Sequence, residues 1–550
     1  MTAVRPRHAP RWLCSSETWM TDWLDSLILV LLLGMFLGPV VFLGALYWFD
    51  RHQRQHAVLR NFPVLGRLRY LFEHIGPEMR QYLFDADFQG KPFSREQYQH
   101  IVKAGKYLAT SISFGSKRDF EQPGWYLRNA LLPTLKDDMA AVREPRVESR
   151  RYVVHDEGLF SRDEKIEPAQ VSPWTLPDSH AVVVGASLPH PWRLGGLIGM
   201  SAMSYGSLGR HAIQALSHGL ARATGTWMNT GEGGLAEHHL VGGGAIVFQI
   251  GPGLFGVRDA SGGWDWDAFD RHAERPQVVG FELKFHQGAK IRGGHVSGSK
   301  VTPEIAAIRG VPVGEDIDSP NRFPIFRSLD DALDHVGEMR RRGGKPVGIK
   351  IVVGGPGSVD PLVAALAARD DGPDWLTVDG GEGGSGATYQ EMADTMGLPL
   401  RSGIVEVDDA LCRAGVRDRV KLFASGKLSS PDAIALALAF GADAVNIARG
   451  LMISVGCIQA QQCHTNRCPV GVATTDEELM EALVVEEKSF RVTNFVITLR
   501  AALTSLAAAA GLEAPTEFRR EHAVHRDAVG RVASAAELFP AARSRGPADA

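Results

Sequence analysis

The sequence predicts an α/β protein built as a closed (β/α)8 barrel, preceded by a membrane-length apolar helix. Three observations predict it. Short apolar runs alternate with helical patterns between about residues 198 and 447, and eight such runs can be counted, as expected of βα units. Polar or glycine-rich stretches follow most of them, where the carboxyl-terminal rim of a barrel carries its chemistry. Residues 27–49, LILVLLLGMFLGPVVFLGALYWF, contain no charged side chain and are long enough to cross a hydrocarbon core of about 30 Å.

At 550 residues and 44% hydrophobic content the chain can bury a large catalytic core and still carry accessory segments. Its net charge of −4, without a long basic run or interleaved aromatic patch, argues against nucleic acid as a partner. Residues 1–26 form a tail and residues 27–49 a single-pass transmembrane helix. Tyr47 and Trp48 sit where an interfacial belt belongs, with Trp19 and Trp23 at the other end. A cleaved signal peptide would have a shorter apolar stretch and a small-residue cleavage site, and YWFDRHQRQ supplies neither. Arg51, Arg54, Arg60, Arg67 and Arg69 follow the helix closely, against Arg5, Arg7 and Arg11 before it. The positive-inside rule therefore places the catalytic part in the cytoplasm. Residues 50–150, with stretches such as SREQYQHIVKAGKYLATS, are expected to form a helical collar. Residues 151–510 are assigned to the barrel. Residues 511–550 form a C-terminal tail that is charged and alanine-rich beyond about Pro515 and is expected to fray.

The strands are expected at IGMSAM (198–203), TWMN (226–229), AIVFQI (245–250), VGFELKF (279–285), VGIKIV (347–352), WLTVD (375–379), KLFAS (421–425) and ADAVNI (442–447). Helical patterns fall between several of them, as in HAIQALSHGLARAT, LDDALDHVGEMRRR, DPLVAALAA and PDAIALALAF. A doubly wound open sheet is the alternative, but no GxGxxG opens a helix after the first strand. The rim stretches are SAMSYGS (201–207), NTGEGG (229–234), HQGAK (286–290), DGGEGGSGA (379–387), SGKL (425–428) and ARGL (448–451). The last two have the character of a phosphate cradle, where glycine lets backbone amides approach a dianion. Of Glu282 and Lys284, only one is expected to face the barrel interior.

Cys457, Cys463 and Cys468 lie together in GCIQAQQCHTNRCPVGVAT, in a chain with five cysteines. Soft thiolates at short intervals, followed by the turn-making Pro469, can wrap an inorganic cluster with little loop-closure entropy. Three ligands leave one corner without cysteine, which favours a three-iron four-sulfur (3Fe-4S) cluster over a four-iron cluster with a non-cysteine ligand. A zinc site completed by His464 is the chemical rival. Cys14 and Cys412 read as isolated thiols.

In order along the chain, SAMSYGSL, NTGEGG, ELKFHQGAK, KVTPEIAAIRGVPVG, DGGEGGSGA and GCIQAQQCHTNRCPVGVAT resemble the flavin-binding synthase domain of glutamate synthase, from about Leu197 to Asp476. The wording is closest to the short, stand-alone FMN-binding members. The resemblance implies an FMN-dependent TIM barrel beside a 3Fe-4S cluster, in which reduced FMN converts 2-iminoglutarate, formed from 2-oxoglutarate and ammonia, to L-glutamate. Carried over, Cys457, Cys463 and Cys468 would hold the cluster. Ser201, Ala202 and Met203 would line the flavin ring, with Lys350 near its polar edge, or else as a salt-bridged strand lysine. Gly383, Gly384, Ser425, Gly426, Lys427, Arg449 and Gly450 would surround the ribityl phosphate. Gln287 and Lys290 are the candidates for binding the oxo acid, and Glu232 for orienting the amine or imine, unless it only holds a loop. His464 is expected to help fold the cluster loop.

Two departures from the large synthases stand out. The loop after the lysine of HQGAK is IRGGHVSGSK (291–300) rather than a longer acidic glycine turn, and Cys14 is not placed as an N-terminal glutaminase nucleophile. Ammonia is therefore expected free or from a separate amidotransferase subunit. Electrons are expected from a ferredoxin or a separate flavoprotein reductase, since no nicotinamide fingerprint is present. Two alternatives share these features: an N-methylglutamate synthase-like subunit acting on another amine, and a membrane flavin and iron–sulfur electron-transfer subunit.

Overall fold

A computed structural model describes residues 16–157, 162–291 and 293–540. The chain divides into two compact units, residues up to Arg95 and residues from Glu96 onward. In the first, one helix runs from Ser16 to His52 straight through Pro39. Within Trp23–His52 the most apolar eighteen residues have a mean hydropathy of 2.7, and none of them is buried. Short helices follow at Ala57–Asn61 and Gly66–Met79. The buried Asp50 fixes this bend by accepting from Arg67 Nη2 (2.6 Å), Arg67 Nε (3.0 Å) and the Val64 amide (2.9 Å). Arg5, Arg7, Arg11 and Cys14 lie outside the described residues.

In the second unit eight parallel strands make one nearly closed barrel: β1 Ile198–Met200, β2 Trp227–Asn229, β3 Ala245–Ile250, β4 Val278–Lys284, β5 Val347–Ile351, β6 Trp375–Asp379, β7 Lys421–Ser425 and β8 Ala444–Ile447. From β2 to β8 each strand hydrogen-bonds to the next in sequence, and β8 pairs back onto β1. The β1–β2 seam is bridged by the Thr226 hydroxyl, which donates to the Ile198 carbonyl (2.7 Å). The strands are almost wholly buried, which is why they read as continuous apolar runs. The expected helices appear at Arg210–Ala223, Leu329–Gly343, Asp360–Ala367 and Pro431–Ala439.

The barrel interior is layered. At the amino-terminal end the antiparallel pair Val182–Val184 and Trp192–Leu194 plugs the opening. There Trp192 packs on Trp227, Trp375 and Phe423 at centroid distances of 5.2, 5.9 and 5.8 Å. A Cβ on Gly199 or Gly348 would fall 2.0 Å from the ring of Trp227 or Trp375, so only glycine leaves room for these indoles. Above them lies a polar layer in which buried Glu282 accepts from Asn229 Nδ2 (2.8 Å), Gln249 Nε2 (2.7 Å) and the Thr377 hydroxyl. The plug closes one end, so chemistry is confined to the other.

Helix Val485–Ala509 is apolar enough to span a membrane, but two thirds of its most apolar window is buried (67%). It packs on Arg210–Ala223, where a Cβ on Gly219 would lie 2.5 Å from the Ser489 carbonyl oxygen.

Two expectations fail. The collar is helical only to Tyr107; beyond it Gly124–Leu127 forms a strand, in keeping with its Trp-Tyr content. The chain beyond Pro515 does not fray within the described residues. Ala523–Arg526 pairs antiparallel with Gly124–Leu127, and Trp125 packs edge-on against Phe440 at 4.8 Å. Composition missed this because the segment is held by long-range partners. Residues 541–550 lie outside the described residues.

Buried His239 supplies a first prediction. Its ring accepts the Ala236 amide (3.1 Å), and burial pushes its pKa down to about 4. An unfolded histidine takes up a proton near pH 6.5, so between there and pH 4 the unfolded chain binds more protons than the folded one. Stability is therefore expected to fall as pH drops through that window, by up to roughly 3 kcal/mol. Denaturation midpoints from pH 7 to 4 should show a shallower decline in His239→Gln than in the wild type; equal slopes would rule the ring out.

Candidate active site

The loops that follow the strands converge at the open end. After β4, the HQGAK loop nests against the DGGEGGSGA loop that follows β6. The Gly288 amide donates to Asp379 Oδ2 (2.9 Å), Ala289 N–H to the Gly381 carbonyl (3.2 Å) and Gln287 Nε2 to the Gly384 carbonyl (2.7 Å). A Cβ on Gly288 would lie 2.0 Å from the Gly380 carbonyl oxygen. Gln287 thus ties two loops together through its amide nitrogen, and its side-chain oxygen remains its acceptor.

The loops after β6, β7 and β8 meet around Gly383, Gly384, Ser425, Gly426, Lys427, Arg449 and Gly450. The Gly380 amide donates to the Ser425 carbonyl (2.8 Å), and Arg449 Nη2 donates to the Glu382 carbonyl (2.6 Å). A Cβ on Gly384 would lie 2.8 Å from Arg449 Cδ. Gly426 has φ +147° and Lys427 φ +53°, a left-handed backbone that is unfavourable for lysine and characteristic of functional loops. Across the barrel mouth the Ser201 and Ser425 hydroxyls hydrogen-bond at 3.1 Å. Met203 is buried and Ala202 half-buried, and a Cβ on Gly231 would fall 3.0 Å from the Met203 carbonyl carbon. The first, second, seventh and eighth strand ends therefore share one rim.

Above the polar layer lies a buried charge cluster. Lys284 Nζ donates to Glu232 Oε1 at 2.6 Å, and Lys290 Nζ stands 4.0 Å from the same oxygen. Lys350 Nζ lies 3.2 Å from Asp379 Oδ2, the salt-bridged arrangement. All three lysines are buried. Glu282 and Lys284 both face the interior: residues two apart on a strand share a face, so the expectation that one points outward fails for that reason. Burial pushes Glu232 upward in pKa, but Lys284, Lys290 and Arg309 outweigh it and hold the carboxyl below its usual range. Burial, reinforced by Lys284 and opposed by Glu232, lowers Lys290 to about 8. Glu232 Oε2 is buried without a hydrogen-bond partner, as is Arg309 Nε. Both residues line one small cavity with Ser204, Lys290 and Ser385. Glycine at 251 and 294 leaves space for the carboxylate, since a Cβ at either would lie within 2.4 and 2.7 Å of its oxygens.

The three cysteines are unpaired; Cys468 is buried and the others half-buried. Burial first, then the neighbouring thiols, pushes the Cys457 thiol up to about 11 and raises Cys463. Lys300 Nζ donates to the Cys463 carbonyl (2.8 Å) and the Ser207 carbonyl (3.1 Å), stitching the cysteine loop to the rim after β1. Asn466 Nδ2 adds a bond to the Ser299 carbonyl (2.9 Å). His464 is exposed.

The family described as conserved region in glutamate synthase matches residues 147–513. The chain belongs to the glutamate synthase family. It is an oxidoreductase of the glutamate synthase type. It is 49% identical over 506 residues to the glutamate synthase large subunit-like protein YerD of Bacillus subtilis (strain 168), covering 92% of this chain and 96% of that one. It is 30% identical over 448 residues to an archaeal-type glutamate synthase [NADPH] of Thermotoga sp. (strain RQ2), covering 80% and 82%. Among solved structures it is similar to a mutant flavocytochrome b2 with pyruvate bound, with TM-score 0.40, 11% identity and coverage of 82% and 85%.

For a glutamate synthase family member the rim brings Glu232, Lys290 and Gln287 together with the glycine loops and sets the cysteine loop beside SAMSYGSL. Sequence reasoning missed Arg309, at the end of helix Pro303–Arg309. It is buried, donates to the Tyr205 carbonyl (2.8 Å) and keeps Nε free of protein partners. The available signal was its place in KVTPEIAAIRGVPVG, an arginine just before a glycine cap, one of the stretches that carry the family likeness.

Proposed function

We propose that this chain is a membrane-anchored, FMN-dependent synthase that reduces the imine of 2-oxoglutarate and ammonia to L-glutamate, with its catalytic unit in the cytoplasm. The observation that carries the reading is the partnerless Glu232 oxygen, buried among Lys284, Lys290 and Arg309 at the rim that also bears the glycine loops.

The residues fit both cofactors. The loops holding Gly383, Gly384, Ser425, Gly426 and Gly450 bring glycine backbone to one place on the rim, and Lys427 and Arg449 add cations, a set suited to a phosphate dianion. Ser201, Ala202, Met203 and Lys350 are assigned to border the ring. FMN, when bound, supplies the hydride for imine reduction. For zinc, tetrahedral thiolates would stand about 3.8 Å apart. Among the described residues the one set of three metal-ligand groups within 4.8 Å is His180, Glu513 and Glu517, so the cysteines and His464 are not gathered for a single ion. The wider spread of Cys457, Cys463 and Cys468 suits a polynuclear cluster such as 3Fe-4S, which supplies a one-electron relay from a ferredoxin or flavoprotein donor.

The chain's own groups then divide the work. Lys290 and Arg309 bind the carboxylates of the oxo acid, Lys290 as a point charge and Arg309 through its fork. Lys284 holds Glu232 ionised and oriented through Oε1, leaving Oε2 to accept an N–H of the iminium and fix its carbon toward the ring. Gln287 keeps the two loops in register.

The test uses detergent-purified full-length protein with a reduced viologen donor, 2-oxoglutarate and ammonium. L-glutamate should form; a flavin- and iron-loaded protein that makes none overturns the reading, and faster turnover with methylamine reassigns it to N-methylglutamate chemistry. Because Lys290 loses its charge above pH about 8, kcat/KM for the oxo acid should fall about tenfold per pH unit beyond it. Burial, then the charges of Lys284, Glu232 and Lys350, set that value, and Lys290→Arg should abolish the fall. A wild-type profile flat to pH 10 would remove Lys290 from binding. Replacing any one of Cys457, Cys463 or Cys468 by serine should release most of the iron and leave FMN bound, read by metal analysis and absorbance. Zinc in place of iron in the wild type would refute the cluster.

A further inference from the structure

The segment after the long apolar helix carries a second apolar face that nothing in its own unit covers. Along Leu65–Met79, helical projection at 3.6 residues per turn puts Leu65, Leu68, Leu71, Phe72, Ile75 and Met79 on one arc. Arg67, Arg69, Tyr70, Glu73, His74 and Glu78 take the opposite side. A face of this kind on a soluble helix is ordinarily the buried one. Here its large members are open: Leu65 is 70% exposed, Leu68 50%, Leu71 50% and Phe72 60%. Phe62 before it and Tyr82, Leu83 and Phe84 after it extend the exposed apolar surface at both ends.

Two features indicate what covers this face. The helix begins fourteen positions after His52, where the apolar helix ends, and the Asp50 clamp on Arg67 and Val64 holds the two together. The segment is also cationic: residues 51–80 contain six arginines against two glutamates. Arg54 and Arg80 are exposed, and Arg69 is paired with Glu73 at 2.7 Å. An amphipathic helix with an apolar arc and a net positive flank, continuous with a span, has the chemistry of a membrane interface bearing anionic headgroups.

We propose that residues 62–84 lie in the membrane interface, with Leu65, Leu68, Leu71 and Phe72 among the upper acyl chains and the arginines at anionic lipid headgroups. This rests on the anchor reading above and adds to it a lipid-binding collar that fixes the height of the attachment point at the bilayer surface.

The test places the full-length protein in vesicles of phosphatidylethanolamine and phosphatidylglycerol that carry a phospholipid with a diazirine in its upper acyl chain. After irradiation, adducts are mapped by peptide mass spectrometry. Adducts are expected on residues 27–49 and on 62–84, the latter roughly fivefold above those on the exposed surface of Leu329–Gly343. Adducts on 27–49 alone overturn the collar and leave the anchor standing; adducts on neither overturn both. The pair Leu68→Glu and Phe72→Glu should remove the 62–84 adducts while keeping those on 27–49, and unchanged labelling refutes the assignment. Protection of the face by a second copy of the chain or by the catalytic unit would show, in a parallel sample treated with a photoreactive bifunctional cross-linker, as protein–protein cross-links on 62–84 without lipid adducts, and refutes it as well.

Discussion

Glu232→Gln is expected to lower kcat for reductive amination of 2-oxoglutarate about a thousandfold while leaving FMN and iron content unchanged. The substitution preserves shape and removes one negative charge. In the wild type that charge faces Lys284 at 2.6 Å and Lys290 at 4.0 Å, with Arg309 also acting on it. Without it, the oxygen facing the imine becomes a weaker acceptor in a site where water does not compensate. The neighbouring cations also lose their counter-charge. Glu232 is the group that raises Lys290 against burial, so the alkaline limb of the oxo-acid profile should move below pH 8 in the variant. A role confined to holding the loop would reduce kcat by less than about tenfold, with the limb moving all the same. Normal flavin absorbance in the variant separates lost chemistry from lost folding.

The second large effect concerns the C-terminal segment. Asp408, on helix Leu400–Arg413, accepts from Arg417 Nε (2.7 Å) and from Arg520 Nη2 (3.0 Å). Arg417 also pairs with Asp443 (2.8 Å), and Arg520 with Asp409 (2.7 Å). Asp408, Arg417 and Arg520 are all buried. Asp443 and Asp408 together hold Arg417 well above its ordinary pKa despite burial. Removing the shared carboxylate strands cations in a poorly solvated site, so Asp408→Ala is expected to cost about 3–5 kcal/mol. The loss should appear first as faster amide exchange across residues 515–540, which Arg520 pins to the barrel. Exchange rates within about twofold of the wild type would show that the segment is held by its apolar contacts alone. Asp408→Asn, keeping some hydrogen bonds, should fall between the two.

Much of the architecture was legible in the linear pattern. Apolar runs of strand length, separated by helical patterns and glycine turns, place all eight strands to within a few residues, because a strand buried on both faces has no polar positions to blur it. The rim was legible for the same reason: glycine clusters mark where backbone approaches backbone, as at Gly288 and Gly231. The C-terminal strand was not legible. Ala523–Arg526 is weakly apolar and is held by Gly124–Leu127, some four hundred positions earlier, and by Arg520 reaching helix Leu400–Arg413. Gln287 was read for its amide, but which loop that amide serves depended on where Gly384 lies in space.

By itself, then, the sequence determined the barrel, the apolar helix and the spacing of three thiols, since each depends on local periodicity or short-range spacing. Only the tertiary structure decided that Glu232, Lys284, Lys290 and Arg309 form one charge cluster. They come from two loops, a strand and a helix across nearly eighty positions, and no local rule fixes such distances. Their charges are tuned by burial and by one another, and both quantities exist only once the chain has folded.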